Sequence, residues 1–166
     1  MSLTWGQVKT WRSSDLETYA GKVGSRRDTV VSQTETLQQR MSSFQGQGDT
    51  ADTLRAAMGT AHTALSTLAD DLAELCDALD AAVPNVEQVE SAVKTALEVA
   101  QACQCTISDS GAPVCHYSGT DAETYRNAAV AGVAMQVSNV MALASYADES
   151  LNRALAKVGT PGSTSS

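Results

Sequence analysis

Met41-Ser42-Ser43-Phe44-Gln45-Gly46-Gln47-Gly48-Asp49-Thr50-Ala51 divides two long stretches whose apolar residues recur every three and four positions. Upstream, Leu16, Ala20, Val23, Val30, Leu37, Met41 and Phe44 fall on one seam. Downstream, Ala51, Leu54, Met58, Ala61, Leu65, Leu68, Leu72, Leu75 and Leu79 fall on another. Alternating spacings of three and four keep an apolar stripe on one side of a helix, where it follows a partner helix. Gly46-Gln47-Gly48 ends the first helix and reverses the chain, because glycine past a helix end adopts positive φ without a Cβ clash. Two helices joined by so short a turn make a helical hairpin. Asp49 reads as the cap of the second helix, with Asp52 in its first turn, where negative charge suits the dipole. Such a hairpin is a scaffold for contacts rather than a pocket for chemistry.

Upstream of the turn, Ser14-Asp15-Leu16-Glu17 reads as a capping box that opens helix one over residues 14–44. Gly24 weakens that helix by ~1 kcal/mol relative to alanine, and Arg27 and Thr34 interrupt its seam. Residues 1–12 carry Trp5, Val8 and Trp11 at i, i+3 and i+6. This spacing predicts a short helical turn that docks aromatics, either as a packing anchor or as a partner-binding patch.

Downstream, the seam continues through Ala82, Val86, Val89, Val93, Ala96, Ala100 and Cys103 without a phase slip at Pro84. One reading is a single helix over residues 49–102, kinked at Pro84 by the lost backbone bond. It would be roughly 80 Å long at ~1.5 Å per residue. The other is two collinear helices split at Pro84. The seam's leucines (Leu54, Leu65, Leu68, Leu72, Leu75, Leu79 and Leu97) are expected to be covered, since burial stabilises each by ~1.5–3 kcal/mol. A last helix over residues 121–158 supplies part of that cover. Thr120-Asp121-Ala122-Glu123 reads as its capping box, and Val130, Val133, Val137, Val140, Ala144, Ala147, Leu151, Leu155 and Val158 as its seam. Between these helices the periodicity lapses. Cys105-Thr106-Ile107-Ser108, then Asp109-Ser110-Gly111, then Pro113-Val114-Cys115-His116-Tyr117 predicts a small β-hairpin over residues 105–117. Residues 159–166 read as a flexible linker or tail, as if the chain were a module of a longer protein.

Composition agrees. The chain has 166 residues, 43% hydrophobic but only 4% aromatic, so alanine and leucine must carry the burial through close helix packing. The expected fold is all-α: an elongated antiparallel helical hairpin or bundle of three to four long helices, with the small β-hairpin before the last. A net charge of −8 argues against nucleic acid. The one basic cluster, Lys22, Arg26 and Arg27, has acidic neighbours and reads as a solvated or paired face. The longest apolar run, residues 128–135, falls short of the ~20 residues a membrane span needs. No basic segment followed by an apolar one opens the chain, so export would use a route without a secretory signal peptide.

Few constellations carry chemistry. Cys103, Cys105, Cys115 and His116 lie close in sequence, but Cys-x-Cys and then Cys-His lacks the paired knuckles of a zinc site. A hairpin could instead pair Cys105, or Cys103, with Cys115 in a disulfide, which persists outside a reducing cytoplasm. Reduced thiols are the third option. Cys76, beside the seam at Leu75, reads as a packed free thiol. Cys115 and His116 are adjacent on a strand and point to opposite faces, which rules against a nucleophilic pair. His62 is isolated. Asp70-Asp71 and Asp148-Glu149 sit on helix exteriors. Gly46-Gln47-Gly48 has no preceding strand and is no nucleotide fingerprint. No catalytic residue, metal, cofactor or small-molecule substrate is expected.

A helix, a turn carrying aromatic-x-Gly, and a second helix opening with small residues resemble the Trp-Xaa-Gly (WXG/ESX) superfamily of type VII secretion substrates. Phe44-Gln45-Gly46 would occupy the tripeptide, with phenylalanine for tryptophan, and Gly48-Asp49-Thr50-Ala51-Asp52-Thr53-Leu54 looks like the entry to the second helix. Thr4-Trp5-Gly6-Gln7-Val8 and Trp11 are similar to the start of longer actinobacterial members, and Thr106-Ile107-Ser108-Asp109-Ser110-Gly111 to their hairpin. The second helix is much longer than in the small members. The resemblance implies a non-catalytic targeting and protein-interaction domain of an exported protein, the N-terminal module of a larger effector. Its recognition turn would be Phe44, Gly46 and Gly48. Its partner would be a helical protein or the export machinery, and it would be secreted or held at the cell surface after passing through the cytoplasm. Tyr117 and Asp121 fit the family's Tyr-x-x-x-Asp/Glu export pattern. The seams alone equally suit a self-associating structural coiled-coil bundle with no export role, and the cysteine–histidine hairpin a metal-binding protein.

Overall fold

In a computed structural model the described residues are 2–160, so most of the tail expected over 159–166 lies outside them. The elements are α1 (Trp5–Val8), α2 (Ser13–Ser43), α3 (Asp49–Ala102), β1 (Cys105–Ile107), β2 (Pro113–Cys115) and α4 (Ala122–Leu155). The fold is therefore all-α with one small antiparallel sheet before the last helix. Two compact units make it up. One joins residues 2–16 to Ala81–Arg153; the other joins Glu17–Asp80 to residues 154–160.

The first unit holds the core. From α3 come Val89, Val93, Ala96 and Ala100. From α4 come Ala129, Val133, Val137, Val140, Ala144 and Ala147, with Cys105 from β1. Valine and alanine alone make up both buried stripes, so the backbones pack closely without large side chains. Trp5 and Val8 close this core, each only 1% exposed, and Trp11 lies half-buried against it. Thr4 positions α1 through a capping box: its hydroxyl accepts from the Gln7 amide, and its own amide donates to Gln7 Oε1 at 3.0 Å. Gly6 N then donates to the Asp109 carbonyl at 2.9 Å, tying α1 to the β-hairpin turn.

α3 runs unbroken through Pro84. Of the two readings at that position, the single helix holds. Pro84 is exposed, so its ring and missing N–H face away from the packed stripe.

Three expected caps are placed differently. α2 starts at Ser13, so Ser14 sits inside the first turn. Glu90 on α3 takes the capping role across space, accepting from Ser13 N at 3.1 Å and Ser13 Oγ at 2.6 Å. Gly48, at φ +97°, precedes α3 and accepts from Asp52 N, so Asp49 is the first helical residue rather than the cap. Asp121, at φ +56°, accepts from Tyr125 N and takes the place expected of Thr120.

The second unit is the hairpin of α2 and the first half of α3. The helices approach closely where Gly24 faces Cys76, a buried free thiol as expected. Among its described residues only Ala20, Val23, Ala51, Cys76 and Leu79 are buried apolar side chains. The expected cover over the leucine seam is therefore partial, with Leu65, Leu72 and Leu75 half-buried. Leu79 alone of the seven is buried, whereas Leu54, Leu68 and Leu97 are 45%, 45% and 47% exposed. Leu97 lies one position off the buried Val93–Ala96–Ala100 line, which turns it outward.

α4 is long and apolar enough in composition to cross a membrane, although no continuous apolar run signals it. Its buried stripe packs into the core of the first unit.

Candidate functional site

The turn of the hairpin is a small built structure. Arg55, in the second turn of α3, places its guanidinium carbon 5.2 Å from the Phe44 ring centroid. Arg55 also donates to the Gly46 carbonyl and, at 3.0 Å, to Asp52 Oδ1. Guanidinium over an aromatic face contributes ~0.5–1 kcal/mol at an exposed site. Gly46 leaves room for the ring: a Cβ there would lie 2.6 Å from Phe44 Cζ, so the ring tip would have to move aside. Gly48 is required by backbone, because its φ of +97° suits no L side chain. The expected recognition residues Phe44, Gly46 and Gly48 are thus brought together, and each has a local structural reason. Arg55 was not foreseen. Its signal was available in the sequence, as a cation three residues after Asp52 and just beyond an aromatic turn.

Beside this turn the hairpin carries two open grooves. One, of about 550 Å³, is lined by Thr29, Ser32, Gln33, Thr36, Leu37, Arg40 and Leu65. The other, of about 440 Å³, is lined by Asp49, Thr50, Thr53, Leu54 and Ala57. Both set a seam leucine beside threonine hydroxyls, half-buried in the first groove and exposed in the second. Many of those hydroxyls are taken up by the helix itself: Thr29 donates to Ser25 O, Thr36 to Ser32 O and Thr53 to Asp49 O. The grooves therefore offer apolar contact more than polar readout.

The β-hairpin gathers the other singled-out residues. Cys105 and Cys115 are register partners, and both thiols lie 3.5 Å from the Cys103 carbonyl oxygen. Burial, followed by the Cys115 contact, pushes the Cys105 thiol up to about 11. His116 Nε2 faces away, 3.0 Å from Thr106 Oγ1, which agrees with the opposite-face argument against a Cys115–His116 pair. All four cysteines are free thiols. Among the described residues, no three His, Cys, Asp or Glu side chains are grouped to hold a metal ion.

Tyr117 stacks on Tyr125 with ring centroids 4.2 Å apart, and its carbonyl accepts from Arg126 Nε. Tyr117 lies in the loop before α4, and Asp121 opens the helix with positive φ. The Tyr117-x-x-x-Asp121 pattern therefore spans a loop and does not form one helix face. Trp5 is sealed in the core, while half-buried Trp11 borders a groove that also contains Arg12, Glu90 and Leu97. Of the basic cluster, Arg27 pairs with Asp28 at 3.1 Å. Asp148 accepts from Asn152 along the exterior of α4. No family model, curated protein or solved structure matches this chain.

Proposed function

We propose that this chain is a non-catalytic, α-helical targeting and interaction domain of a type VII-exported protein, with the α2–α3 hairpin as its recognition element. One observation carries the reading. The hairpin's seam has the regularity of a helix-packing surface, yet Leu54 and Leu68 stand 45% exposed along it. Two exposed leucines on a seam whose positions recur every three and four residues, carried by a two-helix unit, fit an amphipathic partner helix laid along the groove. The Phe44–Gly46–Arg55 turn adds a rigid aromatic end to that surface, and its geometry supports the resemblance to the aromatic-x-Gly turn of the WXG superfamily.

The test is export of the tagged chain from an actinobacterial host with an intact type VII apparatus and from one lacking it. A cytoplasmic marker controls for lysis. Appearance in the filtrate only with the apparatus is expected. Equal retention in both hosts, with the host's own helical substrates co-expressed, would overturn the targeting reading. The same exposed seam also suits a self-associating bundle. A purified chain that forms a stable homo-oligomer through Leu54 and Leu68, and is retained in both hosts, would establish that reading instead.

A further inference from the structure

The segment from Cys103 to Cys115 carries three thiols, and the ladder distinguishes among them. Cys105 stands directly across from Cys115. His116 N donates to Gln104 O at 2.8 Å, and Ser108 N donates to Ala112 O at 2.9 Å. The hydrogen-bonded rungs are therefore 104–116, 106–114 and 108–112. The 105–115 rung falls between them, in the non-hydrogen-bonded position. There, opposed Cα atoms approach to ~4.5 Å and side chains stand closest, within the ~4.4–6.8 Å that a disulfide tolerates. The two thiols converge on one acceptor, the Cys103 carbonyl, at 3.5 Å each. Cys103 itself lies just past the end of α3, outside the strands, and the extended register would set it across from Tyr117 rather than Cys115.

We propose that Cys105 and Cys115 form a disulfide-forming pair, closed by exchange with a low-molecular-weight disulfide, while Cys103 remains a thiol. Cys115 is half-exposed and Cys105 buried, so the reagent meets Cys115 first. Cys115 loses its proton and attacks one sulfur of R–S–S–R. This gives Cys115–S–S–R and releases one thiolate. Cys105 then loses its proton and attacks Cys115 Sγ, which releases the second thiolate. Two protein thiols are oxidised and one small disulfide is reduced to two thiols, which take up the two protons. Burial pushes the Cys105 thiol up to about 11, so its attack quickens as pH rises. The bond would lock the hairpin on which α1 rests, through Gly6 N to Asp109 O and Lys9 Nζ to Asp109 Oδ1 at 2.6 Å. The pairing follows from the ladder and holds whether or not the chain is exported.

The experiment treats the folded, full chain with mixtures of oxidised and reduced glutathione at mildly alkaline pH. It is then acid-quenched, unfolded and alkylated. Cleavage before aspartate separates Cys103 and Cys105 from Cys115, since Asp109 lies between them. The expected result is a loss of about 2 Da, joined fragments, and alkyl groups on Cys76 and Cys103 only. Cys103→Ser should close at a rate within about twofold of the parent, and Cys105→Ser should not close. Alkylation of Cys105 with Cys103 protected, a lasting glutathione adduct on Cys115, or four alkylated thiols would each overturn the assignment. The wild-type map alone decides it, even where a variant fails to fold.

Discussion

Gly46 and Phe44 divide one small volume between them. The ring occupies the space a Cβ would need, at 2.6 Å from Cζ, and the Arg55 guanidinium lies over the ring. Gly46→Ala should therefore destabilise the chain by ~1 kcal/mol, the low end for overpacking, because the ring tip at this half-buried site can move aside. The same change in a Phe44→Ala background should be nearly neutral, because the clash is gone. Thermal unfolding of the four chains forms a double-mutant cycle; additive effects would mean that the glycine serves some other purpose. A second residue-scale case is Glu90. Ser13 Oγ first, then the Ser13 amide, holds its carboxyl below the ordinary carboxylate range. A depressed folded-state pKa stabilises at pH above the unfolded value, near 4.5, and that stabilisation fades as pH falls through the folded value. Glu90→Gln should cost ~1 kcal/mol near neutrality, through the lost charge-assisted bonds at a partly exposed site. The gap in Tm between the two chains should then shrink as the medium is acidified below about pH 4.5. A constant gap across that range would exclude the charged contact as the cause.

Helices announce themselves by period, and their ends depend on neighbours. The unbroken 3–4 phase across Pro84 was legible because a loop would have reset it, and α3 indeed runs from Asp49 to Ala102. The β-hairpin was legible from Asp109-Ser110-Gly111 between short β-prone runs, but its register was not, since the sequence left both Cys105 and Cys103 open as the partner of Cys115. The caps were not legible. Ser14 and Thr120 matched the capping pattern, but Ser13 is held by Glu90, which lies 77 positions away in sequence. Asp121 leads α4 through a positive φ that no pattern predicts. Burial along the leucine seam was also misread, since period alone says which face is apolar and not whether anything covers it. Pro84 gives the element-scale prediction. Its missing N–H leaves the Asp80 carbonyl, one turn back, without its helical donor. Pro84 is exposed, so alanine should restore that bond without disturbing packing. Pro84→Ala should stabilise by ~1–3 kcal/mol, part of the penalty proline carries in a helix interior. A loss of stability on calorimetry would show that the core's packing depends on the proline's backbone geometry.

Across the described residues, the most deeply buried side chains and the exposed leucines of the proposed recognition seam belong to different units. Trp5, Val8, Val89, Val133 and Val140 are the largest fully buried side chains, and all belong to the first unit. The α2–α3 hairpin buries few apolar side chains and exposes two leucines of its seam, Leu54 and Leu68. Replacing both with serine tests whether folding and recognition rest on different residues. Each is 45% exposed, so the substitutions should cost the isolated chain at most about 1 kcal/mol apiece. If the seam is the interface, the pair should weaken partner binding or self-association by ~30-fold or more, the scale of a lost hot spot. Circular dichroism melts and light scattering on the purified chain, with export measured alongside, distinguish the cases. Unchanged folding with lost association places recognition on the hairpin. Collapse of the melt would make the leucines structural, with the apparent exposure filled by the chain's own contacts. Unchanged folding together with unchanged association and export would remove the hairpin seam as an interface and direct attention to the Trp11 groove of the first unit.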